Sequence, residues 1–198
     1  MSERSTFAID FGSKLAGTTV VVAGSMASDQ PLSFTASKKK QDADAMIANL
    51  LAGHNGANVY LDAPLSLPGV YRGLDGFDDH HLRRGDRKLA AMSPMFLGGL
   101  TARAMRLAAN TPHCTWHETY PAAQAKRLEF PKDEYKKKAD ALPRLTTLLA
   151  GLIEACFDPA EVQTWHHFDA LLAWLAAERH ARGEATFHGN PAEGVILV

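Results

Sequence analysis

The spacing of the first four β-type runs limits this chain more than any other feature. Residues 6–9 form a short apolar run ending at Asp10, residues 18–24 are rich in β-branched side chains, and residues 31–36 make a third, shorter run. Short connections separate them, so the spacing predicts antiparallel hairpins. The next gap is longer and helical: Ala45, Met46, Ile47, Leu50 and Leu51 share one face, and Gly53 is a natural stop. Residues 58–61 follow as a fourth run, ending at Asp62 before an Ala-Pro break. A strand, a helix and a strand in that order imply a parallel crossover back onto the sheet.

From residue 64 to about residue 94 the chain is irregular, with Gly, Pro, Asp and Arg throughout. A stretch of that length without regular structure is usually functional or mobile. Residues 96–109 read as a helix, 113–118 as a fifth strand, and 126–138 as a charged surface connection. Residues 142–156 carry Leu145, Leu148, Leu149, Leu152 and Ile153 at helical spacing, suited to the core or to a dimer face. Asp158 is an N-cap residue before Pro159. Residues 165–181 are the strongest helix, with Phe168, Leu171, Leu172 and Leu175 apolar, and residues 194–198 read as a last strand or a docked tail. No repeat or linker divides these segments. One α/β domain over residues 1–198, with an insertion at about 64–110, is expected.

Composition excludes several classes. Lys and Arg number 21 against 22 Asp and Glu, a net charge of −1, so the chain is not a globally basic nucleic-acid binder. Its 46% hydrophobic and 22% charged residues belong to a globular domain rather than a disordered one. Cys114 and Cys156 are too few for a disulfide framework. The first five residues lead straight into the first strand without a leader, and no apolar run reaches membrane-spanning length. A cytoplasmic location is the resulting expectation.

Three strands end on or beside a carboxylate: Asp10, Asp62 and Glu118. Strands that finish at one sheet edge bring such residues together. Asp169 lies early in the last long helix, and His166, three positions earlier, shares its face. Four acids so gathered repel one another, and a divalent cation removes the penalty. Oxygen ligands with one histidine suit Mg²⁺ or Mn²⁺, and such ions can drive phosphodiester hydrolysis.

Ala8-Ile9-Asp10-Phe11-Gly12, Leu61-Asp62-Ala63-Pro64-Leu65, Glu118-Thr119-Tyr120-Pro121-Ala122 and His166-His167-Phe168-Asp169-Ala170-Leu171-Leu172 occur in that order. The set resembles the predicted ribonuclease H-like nuclease family catalogued as domain of unknown function 429, whose relatives include the RuvC-type Holliday-junction resolvases and their YqgF-type cousins. The resemblance covers most of the chain. It implies a ribonuclease H-like fold: a five-stranded mixed sheet flanked by helices, with the insertion after the fourth strand. It also implies metal binding by Asp10, Asp62 and Asp169, with Glu118 as an additional acid and His166 in a His-x-x-Asp spacing. Where resolvase relatives often carry Glu on the fourth strand, this chain carries the shorter Asp62. Resolvases commonly pair, so a homodimer is a further expectation, and nucleic acid is the implied partner, DNA or RNA.

Each candidate has a plainer alternative. Asp10 and Asp62 can shape turns, His166 can support the site from outside, and His167 can be a surface residue. A buried Glu118 can pair with an arginine such as Arg103. Asp78-Asp79-His80-His81 reads as a solvated loop rather than a metal box, and His113 and His117 do not form a zinc site with Cys114. Two stretches, residues 71–106 and 126–144, each carry seven basic against four acidic residues. The first is expected to overhang the site, with Lys14, Arg83, Arg84 and Arg87 as phosphate contacts. Tyr71, Phe77 and Phe96 can stack on bases or anchor the loop in the core, and the core reading is preferred.

The leading functional expectation is a metal-dependent nuclease. A second is a non-catalytic binding protein whose carboxylates are held by cations. A third is nucleotide-linked phosphoryl transfer, suggested by Asp10-x-Gly12 followed by Lys14 but lacking both a second domain and a glycine-rich phosphate loop.

Overall fold

The computed structural model describes residues 4–198, so part of the segment read as leaderless, residues 1–3, lies outside the described residues. The first three strands are β1 (Ser5–Asp10), β2 (Val20–Ser25) and β3 (Ser33–Ala36), paired antiparallel as their short connections require. Helix α1 (Ala43–Leu51) starts on an Asp42 side chain that accepts from the backbone N–H groups of Asp44 and Ala45. It returns the chain to β4 (Asn58–Asp62), which pairs parallel with β1.

The segment between β4 and the next strand carries one 3₁₀ turn (Gly69–Arg72), a short α2 (Arg84–Leu89) and α3 (Gly98–Asn110). Strand β5 (Thr115–Thr119) then adds parallel to β4. Helices α4 (Pro121–Arg127), α5 (Leu142–Ala150) and α6 (Trp165–Ala181) follow, and the chain closes with β6 (Phe187–Asn190) and β7 (Gly194–Leu197).

Among the described residues the sheet has seven strands in the order β3-β2-β1-β4-β5-β7-β6, not the expected five. The extra pair is the terminal hairpin, with β7 parallel to β5 and β6 antiparallel to β7. Its turn strands include Gly194 at φ +121°, where a Cβ would meet the Ser66 hydroxyl, so only glycine lets the hairpin close on the insertion. The α5 helix is also shorter than expected. It stops at Ala150, and the Cys156 carbonyl instead accepts from the Leu32 backbone N–H.

Strand alternation divides the core into two layers. Ala8, Val20 and Val22 face α6 together with Leu145 and Leu149 of α5. Phe7, Ile9, Val21, Val59 and Leu61 face α1 and α3. Helix α6 is buried from Phe168 through Glu178, and the four alanines of that stretch let it lie close on β1, β2 and β4. Glu178 would be a costly buried charge, but it accepts from Trp174 Nε1 at 2.8 Å and from the Glu154 and Ala155 backbone N–H groups. Leu148 and Leu152 are exposed. Among the described residues no helix is long and apolar enough to cross a membrane.

Candidate functional site

Asp10 and Asp62 are the last residues of β1 and β4, and the parallel register sets them directly opposite each other. Each falls two positions after a residue on the α6 face, Ala8 and Tyr60, so both carboxylates turn toward α6. Asp169 reaches the same point from the first turns of that helix. One oxygen from each of the three carboxylates lies within 4.8 Å of the others. Beyond Asp10, Gly12 makes the tight exit from β1: a Cβ there would fall 2.6 Å from the Thr18 backbone.

The three acids are held differently. Asp10 accepts from His166 Nδ1 at 2.8 Å, and because a carboxylate only accepts, that nitrogen carries the proton. The same hydrogen bond raises the His166 pKa, against a smaller effect of burial. Asp169 is fully buried and accepts from the Tyr135 hydroxyl at 2.6 Å, and its other oxygen forms an ion pair with Lys136. Burial nonetheless pushes Asp169 up to about 6, with Asp10 adding to the rise and Lys136 and Tyr135 opposing it. Asp62 takes no hydrogen bond or ion pair from the described residues. Burial, then the charges of Asp10 and Asp169, hold it well above the ordinary carboxylate range. Three clustered carboxylates, one of them without a partner, form a hard-oxygen donor set that suits a divalent cation.

Lys136 and Tyr135 were not singled out in the sequence. A lysine run reads as solvated surface, and the only local signal is an aromatic residue set inside it. Lys136 takes φ +61°, a backbone region that costs a non-glycine residue about 1–2 kcal/mol. Burial alone would lower its pKa, but Asp169, Asp62 and Asp10 together outweigh that and raise it.

Glu118 does not join the cluster. It stands opposite Leu61 on the neighbouring strand, one position out of step with Asp62, so the pleat turns it toward the α3 side. There its two oxygens accept from Arg83 Nη1 at 2.6 Å and Nη2 at 2.5 Å, and the Leu65 backbone N–H adds a third bond at 2.9 Å. Burial raises its pKa, with Arg83 opposing. The arginine partner is therefore Arg83 rather than Arg103, which binds Asp44 together with Arg106.

Nor is Arg83 a phosphate contact. It is 1% exposed and also binds Asp86, so its charge is spent on two carboxylates. Arg87 is exposed and paired with Asp79, which also accepts from the His81 and Leu82 backbone N–H groups. Arg84 lies over the Phe77 ring and donates to the Gly76 carbonyl, and Lys14 pairs with Asp42 at 2.9 Å. The 71–106 stretch thus spends most of its charge internally. The 126–144 stretch, rated second in the sequence, supplies the cation that touches the site.

His167 is partly buried and stacks on Phe34. His113 meets the Leu51 carbonyl, while His117 stacks on Tyr60 at 4.7 Å, well apart from it. Phe77 packs against Gly69, but Tyr71 is half exposed and Phe96 is 80% exposed, so neither belongs to the core.

A scan against known protein families finds no match to this sequence, and no curated protein matches it.

Proposed function

We propose that this protein is a divalent-metal-dependent nuclease of the ribonuclease H-like type, akin to the family its four motifs resemble. One observation carries the reading: Asp10, Asp62 and Asp169 come from a central strand, its parallel neighbour and the last long helix, and present oxygens within 4.8 Å of one another. The order of the first five strands, β3-β2-β1-β4-β5, with three antiparallel and two parallel additions, supports the same reading. Mg²⁺ or Mn²⁺ bound there would supply Lewis-acid charge to a scissile phosphate. His166 holds Asp10 in place and keeps a proton on Nδ1, and Lys136, paired here with Asp169, would be released toward the phosphate backbone once a cation takes that carboxylate.

A second reading is favoured by the ion pair itself. Lys136, Tyr135 and His166 already satisfy much of the cluster, as in a non-catalytic binding protein whose acids are closed by internal cations. Calorimetric titration of Mn²⁺ into the wild type and an Asp10→Asn variant separates the two. Saturable binding lost in the variant, followed by cleavage of single-stranded or branched DNA or RNA, supports the nuclease. No binding at millimolar Mn²⁺, with or without oligonucleotide, favours the binding protein.

A further inference from the structure

A cleft of about 220 Å³ opens beside the acidic cluster, and Asp62 lies on its wall. Phe11, Met92, Leu100 and Tyr120 also line it. It sits outside the carboxyl ends of β1, β4 and β5. At β1 the chain turns one way to β2 and, after the crossover, the other way to β4, a reversal of the kind where open α/β sheets bind ligands.

The charges around this cleft limit what it can take. Its two other acids, Glu118 and Asp86, both pair with Arg83, whose single charge offsets one of them. No lysine or arginine lines it, so it offers nothing to a phosphate. Two aromatic side chains, apolar walls and a surplus of acid, which disfavours a further anion, suit a flat, neutral group attached to something that belongs on the cluster. A nucleotide has this form, since its base and its phosphate are joined through one sugar.

We propose that this cleft is a nucleobase pocket, which receives one unstacked base while the phosphate of the same nucleotide lies at the Asp10–Asp62–Asp169 cluster. The inference rests on the nuclease reading for the phosphate end. It adds that the substrate is engaged as a single strand, or with one base turned out of a duplex. Tyr120, partly exposed, supplies ring surface for stacking, which tolerates different bases because each has a π-face, while Phe11, buried under the Arg103 guanidinium at 4.4 Å, forms the apolar floor. The 80% exposed Phe96 and half-exposed Met92, on the loop between α2 and α3, offer apolar surface for a neighbouring base.

The test uses the whole chain with Ca²⁺ as the cation and compares adenosine 5′-monophosphate and uridine 5′-monophosphate with ribose 5-phosphate by calorimetry. The nucleotides should bind about tenfold or more tightly than the sugar phosphate. Ala91→Trp, which fills the cleft from a partly exposed loop position, should bring the nucleotides down to the sugar phosphate and leave the latter unchanged. Equal affinity of nucleotide and sugar phosphate in the wild type, or no binding of either at millimolar concentration, overturns the pocket. Mn²⁺ titration of the same preparation separates the two claims. Equal affinities with Mn²⁺ binding intact defeat the base pocket alone, whereas base-dependent binding without any Mn²⁺ binding supports the pocket and defeats the metal reading.

Discussion

The Arg83 guanidinium meets both oxygens of the Glu118 carboxylate, at 2.5 and 2.6 Å, with both side chains out of water. This pair ties the insertion to β5. Removing Arg83 would strand Glu118 and Asp86 as buried, uncompensated acids. Arg83→Ala is expected to cost on the order of 3–5 kcal/mol in urea unfolding. Glu118→Gln keeps the shape and one acceptor oxygen, and should cost less. If the two variants unfold alike, the pair is not the anchor described.

Lys136 gives the second prediction. Its ammonium competes with any cation for Asp169. Lys136→Gln should lower the stability of the metal-free protein. It should also raise Mn²⁺ affinity about tenfold, an effect of the size expected for one charge at a partly exposed site. Differential scanning fluorimetry reads both, as a lower starting Tm and a larger upward shift with Mn²⁺. A variant with unchanged Mn²⁺ affinity would show that Lys136 and the cation do not share the site.

Asp169 gives the third. Unfolded, it ionises near 3.8, and in the fold it does so at about 6. Between those values the folded state binds more protons, so this residue makes stability fall as pH rises from about 4 to about 6, with the deficit persisting above. The deficit is on the order of 2–3 kcal/mol for a fully buried group. Asp169→Asn should remove that slope, and saturating Mn²⁺ should reduce it in the wild type. Thermal melts across this range, as differences between wild type and variant, check both.

His117 contributes the opposite slope. Burial, aided by the neighbouring His180, lowers its pKa from 6.5 to about 4. The unfolded state therefore binds the extra proton in that window. Stability from this group is complete above about 6.5 and is lost as pH falls toward 4. Its ring edge is partly exposed, so the change is on the order of 1–2 kcal/mol. His117→Phe keeps a ring against Tyr60 and should flatten this part of the profile. An acid limb unchanged in the variant would refute the assignment.

The sequence already carried most of the fold, since hairpin spacing, the α1 crossover and the Trp165–Ala181 helix are local patterns. It also pointed to Asp10, Asp62, Asp169 and His166, because each sits at the end of a strand or the start of a helix. Residues 194–198 also read as a last strand or a docked tail, and β7 is that strand. Two things were not legible. The pairing of β7 beside a strand nearly eighty residues upstream leaves no local signal, and Phe187-His188-Gly189-Asn190 has no alternating apolar pattern to announce β6. The roles of Arg83 and Lys136 depend on which charges the fold places opposite them. Neither a loop arginine nor a lysine run declares its partner.

The one-position offset between Asp62 and Glu118 shows what the pleat does to a chemical group. Sliding β1 by a single residue against β4 would send Asp10 to the far side of the sheet, as Glu118 is now. On the metal-binding reading proposed above, cation capture would thus proofread the strand alignment. A chain with that slip would also exchange Phe7 and Ile9 with Ala8 between the two core layers. On that same reading, the onset of Mn²⁺ binding during refolding marks the moment when the central strands lock.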